Sequence, residues 1–303
     1  MAVADRADKL PSAESILEPS PAALMRRRMF GHAGLTIGGG VLLVIILMAL
    51  FAPLLSPQDP LAQDLTNRYI PPVWDAKGTW EHPLGTDKFG RDYMSRIFYG
   101  ARISLLIGFT VMVISGVIGT AMGVAAGYFG GRFDMVVTFL VTTRLAMPAV
   151  LIALAVIAII GSSITIVIVV LGLLLWDRFA VVMRSVTQQV RNLDYVAAAE
   201  AAGCSTLRIL MTEIMPNVAN ALIVVATLEV AHAVLLEAAL SFLGLGVQPP
   251  DPSWGLMVSE GKVDMYFKPW VIAIPGTALF LLVLSINLLG DGIRDVTAPE
   301  NRN

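Results

Sequence analysis

Four ionisable residues stand inside otherwise apolar stretches: Arg144, Glu229, His232 and Glu237. A charge at membrane depth is costly, so such groups face a bundle interior or water rather than lipid. Each is either a structural ion pair or snorkelling end, or a lining group of a polar path through a bundle. For Glu237 the helix-end anchoring role is favoured. Glu229 and His232 also share the Glu-x-x-His spacing of a di-iron ligand pair. Only one such pair occurs, so no metal site is expected. Cys204 is the single cysteine, and His32, His82 and His232 are scattered in sequence. Neither a disulfide, nor a zinc cluster, nor a catalytic triad is expected from these. No Gly-x-x-x-x-Gly-Lys-Ser/Thr loop occurs; the nearest string, Gly255 to Gly261-Lys262-Val263, has the wrong spacing and no hydroxyl. Metalloprotease, serine-hydrolase and dinucleotide fingerprints are missing too. The expectation is a chain with no catalytic residue and no cofactor of its own.

The elements that must carry these groups are membrane helices. Hydrophobic residues make up 56% and charged residues 15% of the 303 residues, with a mean hydropathy of +0.74. Soluble domains carry about 25% charged residues, so this chain could not cover a soluble surface. Lys+Arg 21 against Asp+Glu 23 leaves a net charge of −2, and no basic patch argues for nucleic acid. A helix needs about 20 apolar residues to cross a bilayer core. The runs of that length predict six spans, at about 33–55, 103–128, 135–160, 164–183, 218–240 and 269–290. The third and fourth separate near Gly161-Ser162-Ser163. The first run is too long for a signal-peptide core and follows Asp5, Asp8, Glu14 and Glu18, so it reads as a retained span. Arg26-Arg27-Arg28 precede it, which by the positive-inside rule places both termini in the cytoplasm. Gly38-Gly39-Gly40 in this span suits either a close helix approach or a loose lipid-facing stretch.

The resulting organisation is a cytoplasmic tail (1–32), a first span (33–55), an extracytoplasmic segment (56–102), a five-helix core (103–290) and a cytoplasmic tail (291–303). In the outer segment a short helix is expected from Asp92 to about Tyr99. Its charges, Asp87, Lys88, Arg91, Asp92, Arg96 and Arg102, read either as a solvated loop or as a fold sealing the outer mouth. An inner loop, 184–217, is helix-forming. Asp194 reads as an N-cap, 195–202 as a short helix and Gly203 as its C′ residue. Ser205 reads as the cap of a second helix ending at Met215, before Pro216. Such a helix–Gly–helix, slim and rich in alanine, has the shape of a peg that enters a partner's groove.

Several strings resemble one family. They are His82-Pro83-Leu84-Gly85-Thr86-Asp87-Lys88-Phe89-Gly90-Arg91-Asp92 with Ser95-Arg96, then Gly100-Ala101-Arg102-Ile103-Ser104-Leu105, and Ala126-Gly127-Tyr128-Phe129-Gly130-Gly131. Glu237 through Pro250 with Pro252-Ser253-Trp254-Gly255, and Asn287 through Asp295, complete the set. In this order they resemble the "C" permease subunit of dipeptide, oligopeptide and nickel ABC importers. The resemblance implies an all-α type I importer fold in the bacterial inner membrane. It also implies a homologous "B"-type permease partner, two ATPase subunits holding ATP and magnesium, an extracytoplasmic binding protein, and surrounding lipid. The family's inner loop couples to the ATPase through Glu-Ala-Ala, three residues, Gly and a downstream Pro. Carried over, this marks Asp194, Tyr195, Ala197, Ala198, Glu200, Gly203 and Pro216. The acidic position is Ala197 here, and Glu200, nearly one turn on, is the candidate replacement. The family's frequent Asp in the third span is Thr142, with Arg144 two residues on. Arg144, Glu229, His232 and Glu237 become candidate path residues. Short peptides are the default solute, with nickel, opine-like or glycosyl compounds as alternatives. From another class, an ion-gradient-driven secondary transporter competes, although no internal repeat supports it.

Overall fold

The computed structural model describes residues 31–297, and these are helical apart from connecting loops and one isolated bridge between Thr86 and Asp92. The principal helices are α1 (Ala33–Leu50), α2 (Tyr93–Phe129), α3 (Gly131–Leu145), α4 (Ala149–Ile160) and α5 (Ile164–Leu174). They continue with α6 (Trp176–Arg191), α7 (Asp194–Ala201), α8 (Met215–Phe242), α9 (Trp254–Gly261) and α10 (Trp270–Thr297). Five helical stretches are long and apolar enough to cross a membrane, and the bent pair α3–α4 makes a sixth. Arg26-Arg27-Arg28, with nearly all of the first tail and the last six residues of the second, lie outside the described residues.

Several boundaries differ from the sequence expectation. The first span stops at Leu50 and resumes as one turn, Ala52–Leu55, because Pro53 at its start cannot continue the α1 hydrogen-bond ladder. The expected outer helix at Asp92 is not separate. It is the first two turns of α2, which Asp92 caps by accepting from the Ser95 backbone N–H at 2.7 Å. At 37 residues α2 is about 55 Å long at 1.5 Å per residue, so it projects well beyond a bilayer core. The third span is broken: α3 and α4 meet at 82° around Met147-Pro148. The fourth pauses at Leu175 and then runs on as α6 to Arg191. The split at Gly161, with φ +106, falls where the sequence placed it.

At the α7 end, Leu193 is the N-cap rather than Asp194, which instead occupies the first turn of α7. Nor does a second inner helix end before Pro216. The stretch from Thr206 is continuous with α8 through a widened π-type turn, Leu210–Ile214. Pro216 falls in the first turn of α8, after that turn has already loosened the ladder.

The bundle is organised around α2, which packs on α1, α5, α6 and α8, while α10 packs on α1, α8 and α9. The contact of α2 with α6 is the closest. Gly119, Gly123 and Gly127 lie at one-turn intervals on α2, opposite the carbonyls of Trp176, Ala180 and Arg184, equally spaced on α6. A methyl on Gly119 would collide with the Trp176 carbonyl. One on Gly123 would lie 2.5 Å from the Ala180 oxygen, and one on Gly127 2.7 Å from the Arg184 oxygen. The two backbones therefore touch directly, as in small-xxx-small membrane packing. Gly40 in α1 has open space around it. Gly123→Ala is expected to destabilise by about 1–3 kcal/mol through overpacking, while Gly40→Ala is expected to be neutral. Thermal unfolding of the detergent-purified variants checks the pair, and equal midpoints would contradict the direct contact.

Candidate functional site

Three arrangements can do work: the α7 segment, a charged group at mid-span, and an ionic knot at the end opposite α7. The α7 segment is short, yet its position is fixed. Val196 is fully buried and packs in a cluster with Val124 and Tyr128 of α2, Met183 and Val190 of α6, and Ile209, Ile214 and Val218 beyond. Its far end is closed by paired bonds: the Gly203 N–H donates to the Glu200 carbonyl at 3.0 Å and the Cys204 N–H to the Ala199 carbonyl at 3.1 Å. This is a Schellman closure, and it puts Gly203 at φ +76, where a side chain would strain the backbone. With Val196 turned inward, Asp194, Tyr195, Ala197, Ala198 and Glu200 are exposed. Glu200 is tied back by the Tyr128 hydroxyl, which donates to its Oε1 at 3.0 Å, and the Arg191 guanidinium lies 5.5 Å from the Tyr128 ring centre. Tyr128 had no marker of this role beyond its place at the end of an apolar run and in the 126–131 string. Pro216, in α8, is not part of this exposed face.

The four membrane-depth residues do not form one site. Arg144 spans the two helix breaks: its Nε donates to the Leu174 carbonyl at 2.8 Å and its Nη1 to the Met147 carbonyl at 3.2 Å. Both carbonyls lie where a helix ends, so the guanidinium satisfies oxygens the breaks release. Glu237 is wholly buried, and its Oε1 accepts from Ser241 at 2.7 Å and from Ser253 at 2.9 Å. Ser253 in turn caps α9 by accepting from the Leu256 N–H. Glu229 and His232 do lie together, with His232 Nδ1 3.2 Å from Glu229 Oε2. The structure adds Arg178 of α6, whose Nη1 is 3.2 Å from Glu229 Oε1. Arg178 escaped the sequence reading because it lies where the fourth apolar run gives way to the polar inner loop. Among the described residues no group of three or more His, Cys, Asp or Glu could hold a metal.

At the opposite end the charges of the 82–96 string are not a solvated loop. Asp87, Arg91 and Arg96 are each at most 5% exposed. Asp87 Oδ2 accepts from Arg91 Nε at 2.6 Å and from Arg96, and Asp87 Oδ1 accepts the N–H groups of Phe89 and Arg91. Glu260 of α9 closes the knot, 3.1 Å from Arg91 and 2.7 Å from Arg96. Beside it His82 meets Asp92 at 3.0 Å. Burial first, and then the bond to Asp264, pushes the Tyr69 phenol up to about 12, so it remains a donor to that carboxylate at neutral pH. Trp254, fully buried, links the knot to the bundle by donating to the Ile97 carbonyl at 2.9 Å.

Residues 119–303 match the family described as "Binding-protein-dependent transport system inner membrane component". The chain belongs to that family. It is a multi-pass inner-membrane permease of an ABC importer, a transport component rather than an enzyme. Residues 20–72 also match the N-terminal TM domain of oligopeptide transport permease C. A di/tripeptide transport system permease protein, DppC, of Pseudomonas aeruginosa is 39% identical, over 95% of each chain. A glutathione transport system permease protein, GsiD, of Pectobacterium atrosepticum is 36% identical, over 91% of this chain and 89% of its own. In fold, the permease is similar to an inward-facing structure of the MetNI methionine ABC transporter, with a TM-score of 0.54 and 20% identity, covering 66% of this chain and 95% of that one. Nothing among these matches supports the secondary-transporter alternative.

The knot yields a stability expectation for the permease. Removing one partner of a buried ion pair costs about 3–5 kcal/mol, because the other charge is left without compensation. Glu260→Gln should therefore lower the unfolding midpoint far more than Glu81→Gln on the exposed loop. Thermal denaturation of the purified protein checks this, and equal midpoints would contradict the buried network.

Proposed function

We propose that this permease imports short peptides as one half of a two-permease pore. ATP and magnesium would be held by two ATPase subunits at the α7 end, with none in this chain, and a solute-binding protein would meet the opposite end, whose fold the Asp87–Glu260 knot holds together. The observation that carries the coupling part is α7 itself: a short helix anchored through Val196 and closed at Gly203, with Ala197 and Ala198 facing outward. Small exposed side chains on a firmly seated helix suit insertion into a groove, and the firm seat lets a push on α7 reach α2 and α6. Tyr195 and Asp194 flank that face. Glu200, held by Tyr128, serves in this reading as the strut from α7 to α2, in place of the acidic residue absent at Ala197. Pro216 acts behind it, at the turn where the α7 segment passes into α8. The peptide assignment is supported by the names of the relatives, which include di/tripeptide and glutathione permeases, glutathione being itself a tripeptide.

Both termini would be cytoplasmic, with 56–92 and α9 outside. In a background lacking Cys204, single cysteines at Ala76 and Ala197 test this. An impermeant thiol reagent added to whole spheroplasts should label the first and spare the second; the reverse pattern would overturn the orientation.

Ala198→Trp and Gly203→Val test the coupling role. The first fills the docking face. The second forces a β-branched residue into a left-handed conformation at a cost of about 1 kcal/mol or more. Each variant should insert and pair with its sister permease, yet lose the ATPase subunits on purification or hydrolyse ATP without uptake of labelled dipeptide. Normal ATPase recovery with normal uptake would remove the coupling assignment.

A further inference from the structure

The charged group around Glu229 has a direction. Its carboxylate points inward: Glu229 of α8 is 1% exposed; Asp177, the neighbour of Arg178 on α6, is likewise buried at 4%. Its donors point outward. The Arg178 side chain is 53% exposed and that of His232 29%. Glu229 lies at the centre of the 218–240 apolar run, and Arg178, at the end of the apolar part of the 164–191 stretch, brings its guanidinium to within 3.2 Å of the Glu229 carboxylate at that depth. An exposed guanidinium at that depth cannot face hydrocarbon. The surface it presents must meet water or another protein.

The guanidinium is also unsaturated. It has five N–H donors in a planar fork, and Glu229 engages one nitrogen at 3.2 Å. The remaining donors match a second carboxylate in bidentate geometry. Arg144 does not join this group: its guanidinium is spent on the carbonyls of Leu174 and Met147. Glu229 lies behind the Arg178 guanidinium at ion-pair distance and offsets its charge, so an anion approaching from the exposed side meets a donor held at a lower desolvation cost.

We propose that Arg178, set by Glu229 and flanked by His232, is a carboxylate-receiving station in the translocation path, where the C-terminal carboxylate of the solute is held at mid-membrane. The identity of the solute as a peptide rests on the reading above; the anion station rests on the side chains.

Two readouts on the full complex, reconstituted with its sister permease, ATPases and binding protein, test it. The first probes the field without any solute. In a background lacking Cys204, Val181→Cys places a thiol one turn from Arg178 on an exposed position of α6. A sulfonate-bearing thiosulfonate should react with it about tenfold faster than a trimethylammonium-bearing one. That ratio should fall to near one when Arg178→Gln is combined with Glu229→Gln. No reaction with either reagent, or equal rates beside intact Arg178, overturns the station.

The second readout is transport. The double variant Arg178→Gln/Glu229→Gln removes both charges of the pair, so a purely structural ion pair should tolerate it with uptake intact. The station predicts normal assembly and thermal midpoint with uptake of labelled dipeptide reduced about tenfold or more, and Arg178→Lys retaining part of it as a point charge without the fork. Wild-type uptake in the double variant overturns the proposal. So does loss of the sister permease from it, which would instead place Arg178 in an ion pair between subunits. If the unmodified complex takes up no peptide at all, the peptide reading fails, while the reagent ratio still decides the station.

Discussion

The direct backbone contact between α2 and α6 is the constraint on which the other arrangements rest. Lipid tails are as apolar as leucine, so helices in a bilayer gain by close van der Waals fit rather than by escaping water. Gly119, Gly123 and Gly127 let α2 approach the carbonyls of Trp176, Ala180 and Arg184 at three successive turns. That fit sets the rotation of α6 about its own axis. The rotation in turn buries Phe179 and Met183, directs Arg178 toward Glu229, and delivers the chain at Arg191 to the seat of α7. Because α2, capped by Asp92, runs on to Phe129, it connects the ionic knot with the Tyr128–Glu200 contact in one element.

The buried charges at the α2–α8–α9 end are held by local partners. Asp87, Arg91, Arg96 and Glu260 neutralise one another in a small volume. Glu237 has no cation, but two serine hydroxyls donate to one of its oxygens, and one of those serines also caps α9. Such networks are expensive to break rather than strongly stabilising, because desolvation offsets much of the Coulomb attraction. They hold register. The knot ties α9 to the start of α2, and Glu237 ties the end of α8 to the start of α9. The α7 end has a different construction, with α7 held by apolar packing and by one tyrosine hydroxyl.

The breaks in the third and fourth spans meet at Arg144. Pro148 ends one helix and Leu175 interrupts the next, and each leaves carbonyls without helical partners. A guanidinium donating to both satisfies what lipid could not. Read alone, Arg144 in an apolar run pointed to a path residue or an ion pair. Its partners are backbone oxygens, a role that no side-chain inventory displays.

Depth was legible in the amino-acid order, and direction was not. The lengths of the apolar runs located the spans, Gly161 and Gly203 marked turns that the structure keeps with positive φ, and the 82–96 and 237–255 strings pointed to the right family. Helix ends were misjudged where a charge, a capping side chain or a proline was taken for a boundary. Arg102 does not end a helix that projects into water, Asp194 sits inside α7 rather than capping it, and the chain passes Pro216 because a wide turn precedes it. The pairings were beyond reach: Glu260 lies 169 residues from Arg91, and nothing local to Arg178 names Glu229 as its partner. Hydropathy along a chain reports how deep a residue sits. Which way its side chain points depends on the rotation of its helix, and only the packing of one helix on another, glycine against carbonyl, decided that.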